Sequence, residues 1–492
     1  MSSKKTVFVT GTTGGMGSEV MKELLARNDT FNVVTLVRPS EKNRKLMAPY
    51  EKTPELMIVW GDLTHFDDVA SCVRNADYVL HCAAITCPEA DYHPDDAGRV
   101  NYGSAHHIVR AIKEHPNADR IRLVCIGTVA ATGDRMPPIH WGRCGDPLKP
   151  SMYDYYATTK TAAEREVIES GLKHWVSLRQ TGILTFDGGP ADAIMYHHPL
   201  YACDEWVTAR DSGTLLANIC EDGVPADFWC RIYNIGGGPR MRTTCYEYLS
   251  GIFRLTGIDF REVVEPSWFV TRNFHMQWYE DSNVLEDYFH FQNHTFEDFL
   301  RIREQALPPN AKARTGVSTS TIKEKRFLPL AVSKNGPMYW IVNNLVKRIN
   351  VFFGSKAKWT QIPGWDRFEY TKPSDKPQRL NHGYDETKPQ SRLDLNDMKG
   401  AAELRGGRCL STGMDAGDMK TKLMFQCAFG HVFEATPTAV LLGGHWCERC
   451  EAPPWNYDAI AKRNPFFAQV WYPLHDKDED NYCDSRGCED LL

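Results

Sequence analysis

Thr6-Val7-Phe8-Val9-Thr10-Gly11-Thr12-Thr13-Gly14-Gly15-Met16-Gly17 joins a short strand-forming run to three glycines spaced three apart. Such a stretch places a tight turn between a buried strand and a helix. The first glycine makes the turn, the second lets a pyrophosphate approach the backbone, and the third lets helix pack on strand. An anion held there rests on the helix N-terminus. The pattern continues in both elements: Met16, Val20, Met21, Leu24 and Leu25 form one apolar stripe, and Phe31 to Val37 reads as a second strand at strand-helix-strand distance.

Further strands at Leu56–Trp60, Tyr78–His81, Leu123–Ile126 and Val176–Leu178 alternate with helical segments up to about residue 185. That alternation predicts an α/β domain built on a doubly wound parallel sheet. A smaller substrate lobe is expected over about 186–305, giving one domain over 1–305. A linker follows over 306–400, then a metal-binding module over 401–455 and a tail over 456–492. Inside the linker, Met338, Ile341, Leu345, Ile349 and Phe352 step by three and four after Pro337, which predicts one amphipathic helix docked on the main body.

The chain has 492 residues, 42% of them hydrophobic, with a net charge of −6. This size suggests two or three domains, and the charge argues against a general affinity for nucleic acid or anionic membrane. No apolar stretch is long enough to span a bilayer. The start, Met-Ser-Ser-Lys-Lys, runs straight into a strand, so no signal peptide is expected. Many of the fifteen cysteines fall within buried segments, as Cys82 and Cys125 do, which fits a reducing, cytoplasmic setting.

Tyr156 and Lys160 stand one helical turn apart and so share a face. An ammonium near a phenol favours the phenolate, and the pair can serve an alcohol or carbonyl as general acid or base. Thr128, ending the strand Leu123 to Thr128, can offer its hydroxyl to the same substrate oxygen. In these features the sequence resembles the extended short-chain dehydrogenase/reductase superfamily over about residues 5 to 300.

The resemblance implies a Rossmann-type fold and a catalytic set of Thr128, Tyr156 and Lys160. Its cofactor turn matches Thr10, Gly11, Gly14, Met16 and Gly17, and its adenine-side acid matches Asp62, followed by Leu63. Its strand-end motif falls on His81-Cys82-Ala83-Ala84 and its asparagine-glycine motif on Asn101-Tyr102-Gly103. Ala83, Ala84 and Asn101, with Tyr156 and Lys160, therefore join the expected cofactor contacts. The chain departs from the family at Arg179-Gln180-Thr181-Gly182, where a proline is common, and in using threonine where serine is usual.

At the end of the second strand stands Arg38 rather than a carboxylate, with Lys42, Arg44 and Lys45 behind it. An arginine there can grip a 2′-phosphate, which points to NADP rather than NAD. Val129-Ala130 replaces the acidic pair that dehydratases of this type carry after the catalytic hydroxyl. The expected reaction is hydride transfer between nicotinamide and a ketone, aldehyde or secondary alcohol. Two alternatives are a nucleotide-sugar epimerase retaining NAD and a non-catalytic nucleotide sensor. An aromatic group, Trp206, Trp268, Phe269, Phe274, His275, Trp278 and Tyr279, serves mostly as core or lines a site for an apolar ring compound such as a steroid or phenolic. The loop Pro137 to Arg143 is a candidate cover for the substrate.

Late in the chain, Cys427-Ala428-Phe429-Gly430-His431 and Cys447-Glu448-Arg449-Cys450 supply two ligand pairs. Three thiolates and an imidazole suit a closed, structural zinc site. Cys409 is a spare candidate ligand. The module resembles treble-clef or ribbon-like zinc folds and is expected to pack on the main domain or to pair two subunits as a homodimer. It has no dense basic face for nucleic acid.

Overall fold

The computed structural model describes residues 4–187, 191–307, 317–484 and Leu491. Parts of the expected linker and tail, residues 308–316, 485–490 and 492, lie outside the described residues. Seven parallel strands form the central sheet: β1 (Lys5–Thr10), β2 (Phe31–Val37), β3 (Leu56–Trp60), β4 (Tyr78–His81), β5 (Arg122–Thr128), β6 (Trp175–Gln180) and β7 (Arg231–Ile235). Their spatial order is β7-β6-β5-β4-β1-β2-β3. Strand order reverses between β1 and β4, and ligands of doubly wound sheets bind in the crevice outside the strand ends at such a point. Register brings Thr10 beside both Leu36 and His81, so β1, β2 and β4 end together at that crevice.

Helices cover both faces. On one side α1 (Gly15–Ala26) buries Val20, Met21 and Leu24 against Val7, Val9, Val33 and Leu80. On the other, α2 (Phe66–Val73), α3 (Gly103–Lys113) and α4 (Tyr155–Ile168) close over Phe8, Val79, Leu123 and Cys125 through Val69, Ile108, Ile112 and Val167. Helix α5 (Ala209–Ile219) packs beside α1. Both sheet faces are thus dry, as near-continuous apolar strands require.

Among its described residues, the region read as a linker with one helix holds several short helices over 319–360, an irregular stretch over 361–389 and a further helix from 395. The stripe from Met338 to Phe352 is divided between α6 (Pro337–Val342) and α7 (Val346–Phe353), because Asn344 takes a positive φ of 53°. Asparagine is among the residues that tolerate that conformation, and a helix cannot pass through it. The stripe nevertheless faces inward: Trp340, Ile341, Ile349 and Phe352 join Met152, Tyr153, Trp455 and Trp471 in one core. Part of that core comes from the expected tail.

The Pro137 to Arg143 loop is not a substrate cover. Trp141 and Gly142 pair as a strand with Trp278 and Tyr279, and His140 and Trp141 both donate to the carbonyl of Ser374. Of the aromatic group, Trp206, Trp268, Phe269, Trp278 and Tyr279 are buried in core clusters. A three-stranded antiparallel sheet, β8 (Arg408–Cys409), β9 (Leu423–Gln426) and β10 (Val432–Ala435), builds the late module. Among the described residues no helix is long and apolar enough to cross a membrane.

Candidate functional site

The glycine turn is shaped by close approach. Gly11 has φ +77°, and a Cβ there would lie 2.9 Å from the Ala83 nitrogen, while one on Gly17 would lie 2.2 Å from the Gly11 carbonyl oxygen. Gly14 caps α1 without a side chain, which leaves the first amides of that helix to an anion. Around this turn opens a cleft of about 470 Å³, walled by Gly11, Gly14, Met16, Gly17, Arg38, Asp62, Leu63, Ala83, Ala84 and Tyr156. A cleft of this size is ample for a dinucleotide's extended form laid along the strand ends.

Thr10 and Asn101 act one layer beneath. The Thr10 hydroxyl accepts from the Cys82 and Ala83 amides at 3.1 Å each and bonds His81 Nδ1 at 2.9 Å. Asn101 holds Ile85 by both its backbone groups, at 2.8 and 3.0 Å, and donates to Thr159 on α4. These two residues fix the loop after β4 against the glycine turn and α4. Asp62 is partly buried, which favours its neutral form. Hydrogen bonds from Thr64 and the nearby Arg38 charge override that and hold the carboxyl below its usual range. Arg38 sits in a fixed turn, since Asn43 donates to its carbonyl at 2.9 Å.

A second cavity of about 290 Å³ adjoins the first, and Tyr156 lies in the wall of both. Burial raises the Tyr156 phenol to about 12, with Cys87 and Asp154 pushing the same way and a hydrogen bond from Thr128 opposing. The phenol is therefore protonated at neutral pH, and the lowering expected from Lys160 is not found: the groups that act on the phenol are Thr128, Cys87 and Asp154, while the Lys160 charge acts on His81 and Cys82. Lys160 is buried on the same face of α4, where its charge adds to burial in lowering His81 to about 3. Thr128 ends β5 and accepts from Ala130 at 3.1 Å.

Sequence reasoning missed several wall residues. Gln180 and Ile183 complete the nucleotide cleft. Cys87 and Asp91 enter the second cavity from the segment after β4, Asp154 from the N-cap of α4, and Trp340, Arg348 and Phe352 from α6 and α7. Asp154 caps α4 by accepting from Ala157 at 2.7 Å, and Asp91 accepts from Tyr155 at 2.9 Å. An Asp three residues before an alanine at a helix start is a readable cap signal. Nothing in the linear pattern ties residues 340–352 to Tyr156.

The late ligand set converges. The ligand atoms of Cys427, His431, Cys447 and Cys450 all lie within 4.8 Å of one another. Separations are 3.6 Å for Cys427 to Cys450, 3.6 Å for Cys447 to His431 Nδ1 and 3.4 Å for Cys450 to His431 Nδ1. Tetrahedral coordination with Zn–S of about 2.3 Å and Zn–N of about 2.0 Å needs edges of roughly 3.5–3.8 Å. Cys409 is not in the group. A further cavity of about 560 Å³ lies behind α4, with Cys447 and Cys450 in its wall and no member of the Thr128, Tyr156, Lys160 set.

Comparison with known proteins agrees with this geometry. Residues 11–200 match the family model described as NAD(P)H-binding. The chain is similar to a UDP-glucose 4-epimerase of Rickettsia bellii, 28% identical over 111 residues, covering 22% of this chain and 32% of the relative. It is also similar to an inverting UDP-N-acetylglucosamine 4,6-dehydratase of Campylobacter jejuni, 28% identical over 116 residues, covering 23% of this chain and 34% of that one. The match thus spans about a third of the length of these curated relatives. A solved dTDP-glucose 4,6-dehydratase of Bacillus anthracis in complex with NAD superposes with a TM-score of 0.50 at 17% identity, covering 61% of this chain and 96% of that one. That of Streptomyces venezuelae gives 0.50 at 21%, with the same coverage. These likenesses establish a Rossmann-type fold.

Proposed function

We propose that this chain is an NADP-dependent oxidoreductase acting on a ketone, aldehyde or secondary alcohol. The observation that carries the reading is the place of Tyr156, shared between the wall of the nucleotide cleft and that of the adjoining cavity. A bound nicotinamide cofactor supplies or accepts the hydride. Tyr156, protonated at neutral pH, holds a proton at its phenolic oxygen and can deliver it to a carbonyl oxygen. Thr128, hydrogen-bonded to that phenol, orients it. Lys160, buried beside the β4 strand end, offers a cation for a ribose hydroxyl. Arg38 would take the 2′-phosphate of NADP. The Cys427, His431, Cys447 and Cys450 set would hold a structural zinc ion, with no position open to substrate.

The test is Tyr156→Phe. The variant should lose at least about a hundredfold in turnover over a carbonyl panel read by NADPH absorbance, the scale of one general acid. It should still bind NADPH in a fluorescence titration. Unchanged turnover would reject the reading. Arg38→Glu should shift the Kd ratio toward NAD; an unaltered ratio would assign the 2′-phosphate to other groups.

A further inference from the structure

Helices α6 and α7 close the cavity beside Tyr156, and this fixes what the cavity admits. Trp340 and Phe352 pack ring against ring at 4.6 Å, tilted by 35°, and Phe352 stacks on Tyr153 from the main domain at 6.3 Å. All three belong to the cavity wall, as does Leu491 from near the end of the chain. At about 290 Å³ the space lies at the bottom of the range of roughly 300–1,000 Å³ in which small-molecule sites fall.

Charge narrows the choice further. Asp91, Asp154 and Asp192 are in the wall, and Arg348 is the single lysine or arginine there among the described residues. Its guanidinium lies over the Tyr153 ring at 4.2 Å. His197 is held neutral by burial, which lowers it to about 4, and His275 faces Asp154 at 3.3 Å. Carboxylates thus outnumber cations in a half-open cavity, whose protein walls screen charge less than bulk water does. A diphosphate would meet like charge there, whereas an ammonium would meet its complement. The Ser151 hydroxyl and the Trp340 indole N–H, both in residues of this wall, are buried without a hydrogen-bond partner among the described residues. Polar atoms left this way cost stability that a polar ligand can return.

We propose that the cavity takes a compact amino alcohol or amino ketone without phosphate, its ammonium held by Asp91 and Asp154 and its oxygen at Tyr156. The proposal rests on the oxidoreductase reading only for the role of Tyr156, and its test is read by binding. The NADP-loaded full chain is melted with saturating 1-amino-2-propanol, with 1,2-propanediol and with UDP-glucose. The amino alcohol should raise the melting temperature by roughly 3–6 °C, as a saturating ligand does for a domain of this size. The diol should give less than half that shift and UDP-glucose none. Asp91→Asn, whose side chain can still accept from Tyr155, should alone melt no lower than the wild type and should lose the amino alcohol shift. Stabilisation by UDP-glucose, an equal response to the diol, no response to the amino alcohol, or a full response in Asp91→Asn would each overturn the proposal. None of these results bears on whether Tyr156→Phe loses turnover, so the two readings fail separately.

Discussion

Gly17 occupies the first turn of α1, where replacing glycine by alanine ordinarily stabilises a helix by up to about 1 kcal/mol. Here the added Cβ would sit 2.2 Å from a backbone oxygen of the glycine turn, and backbone cannot swing aside as a side chain can. Gly17→Ala is therefore expected to lower the melting temperature and weaken NADPH binding at least tenfold, both read on the purified variant. Wild-type affinity would mean that the turn relaxes freely. Asp91 makes a pH-dependent contribution. Burial and the neighbouring Asp154 charge raise its carboxyl to about 7, against an ordinary value near ~3.9. A carboxyl whose folded pKa is raised stabilises the fold when protonated. That contribution is full below about pH 4 and is lost as pH rises through about 7. Urea midpoints of Asp91→Asn and wild type should thus diverge in favour of the variant between pH 5 and pH 8, and parallel profiles would contradict the assignment. Both residues were differently legible: the glycine spacing announces its own role, whereas the Asp91 carboxyl matters only because the fold sets it beside Asp154.

The element that joins the two halves of the molecule is α4. Its first turns carry Tyr156 and Lys160, and its last turns carry Glu164, Arg165 and Glu169, all engaged with the late module. Glu164 takes Arg179 at 2.6 Å and His445 at 3.0 Å, while Arg179 also donates to the Gly443 carbonyl at 2.6 Å. Arg165 reaches Glu448 and Glu451 at 3.2 and 3.3 Å, and Lys422 reaches Glu169 at 2.8 Å. The Glu164 and Arg179 side chains are almost fully buried, so removing one strands the other. Arg179→Met should cost about 3–5 kcal/mol in chemical denaturation, and the double variant Glu164→Gln/Arg179→Met should recover part of it. A loss below about 1 kcal/mol would show that the pair is hydrated in solution. In this chain the end of β6 answers to the late module, through Arg179, as well as to the cleft, through Gln180. Strand and helix periodicity made the sheet readable because each element carries its own apolar face. The α6–α7 break was not readable, since Asn343-Asn344 interrupts a stripe whose spacing runs straight through it.

At the scale of the whole molecule, the extension beyond the sheet domain is part of the same folded body. Its metal-ligand group lies at one end of the path Cys447, Trp446, Arg165, α4, with Tyr156 at the other. The module's own core is small, built around Phe425, Trp446 and Leu441 with a three-stranded sheet. Modules of that size depend on the metal for much of their folding free energy. Removing with a chelator the zinc proposed for that group should release the module, and with it the buried partners of Glu164 and Arg165. Hydrogen exchange should then speed first in residues 408–450, next in the last turns of α4 (164–168), and least in β1, β4 and β5, whose protection comes from the sheet. NADPH affinity should fall less than turnover does, because the module's ion pairs run to α4, which carries Tyr156 and Lys160. Unchanged exchange in 164–168 after the metal has demonstrably left would separate the module from the catalytic helix. In that case the ion pairs across α4 would be consequences of packing rather than the link that holds Tyr156 in place.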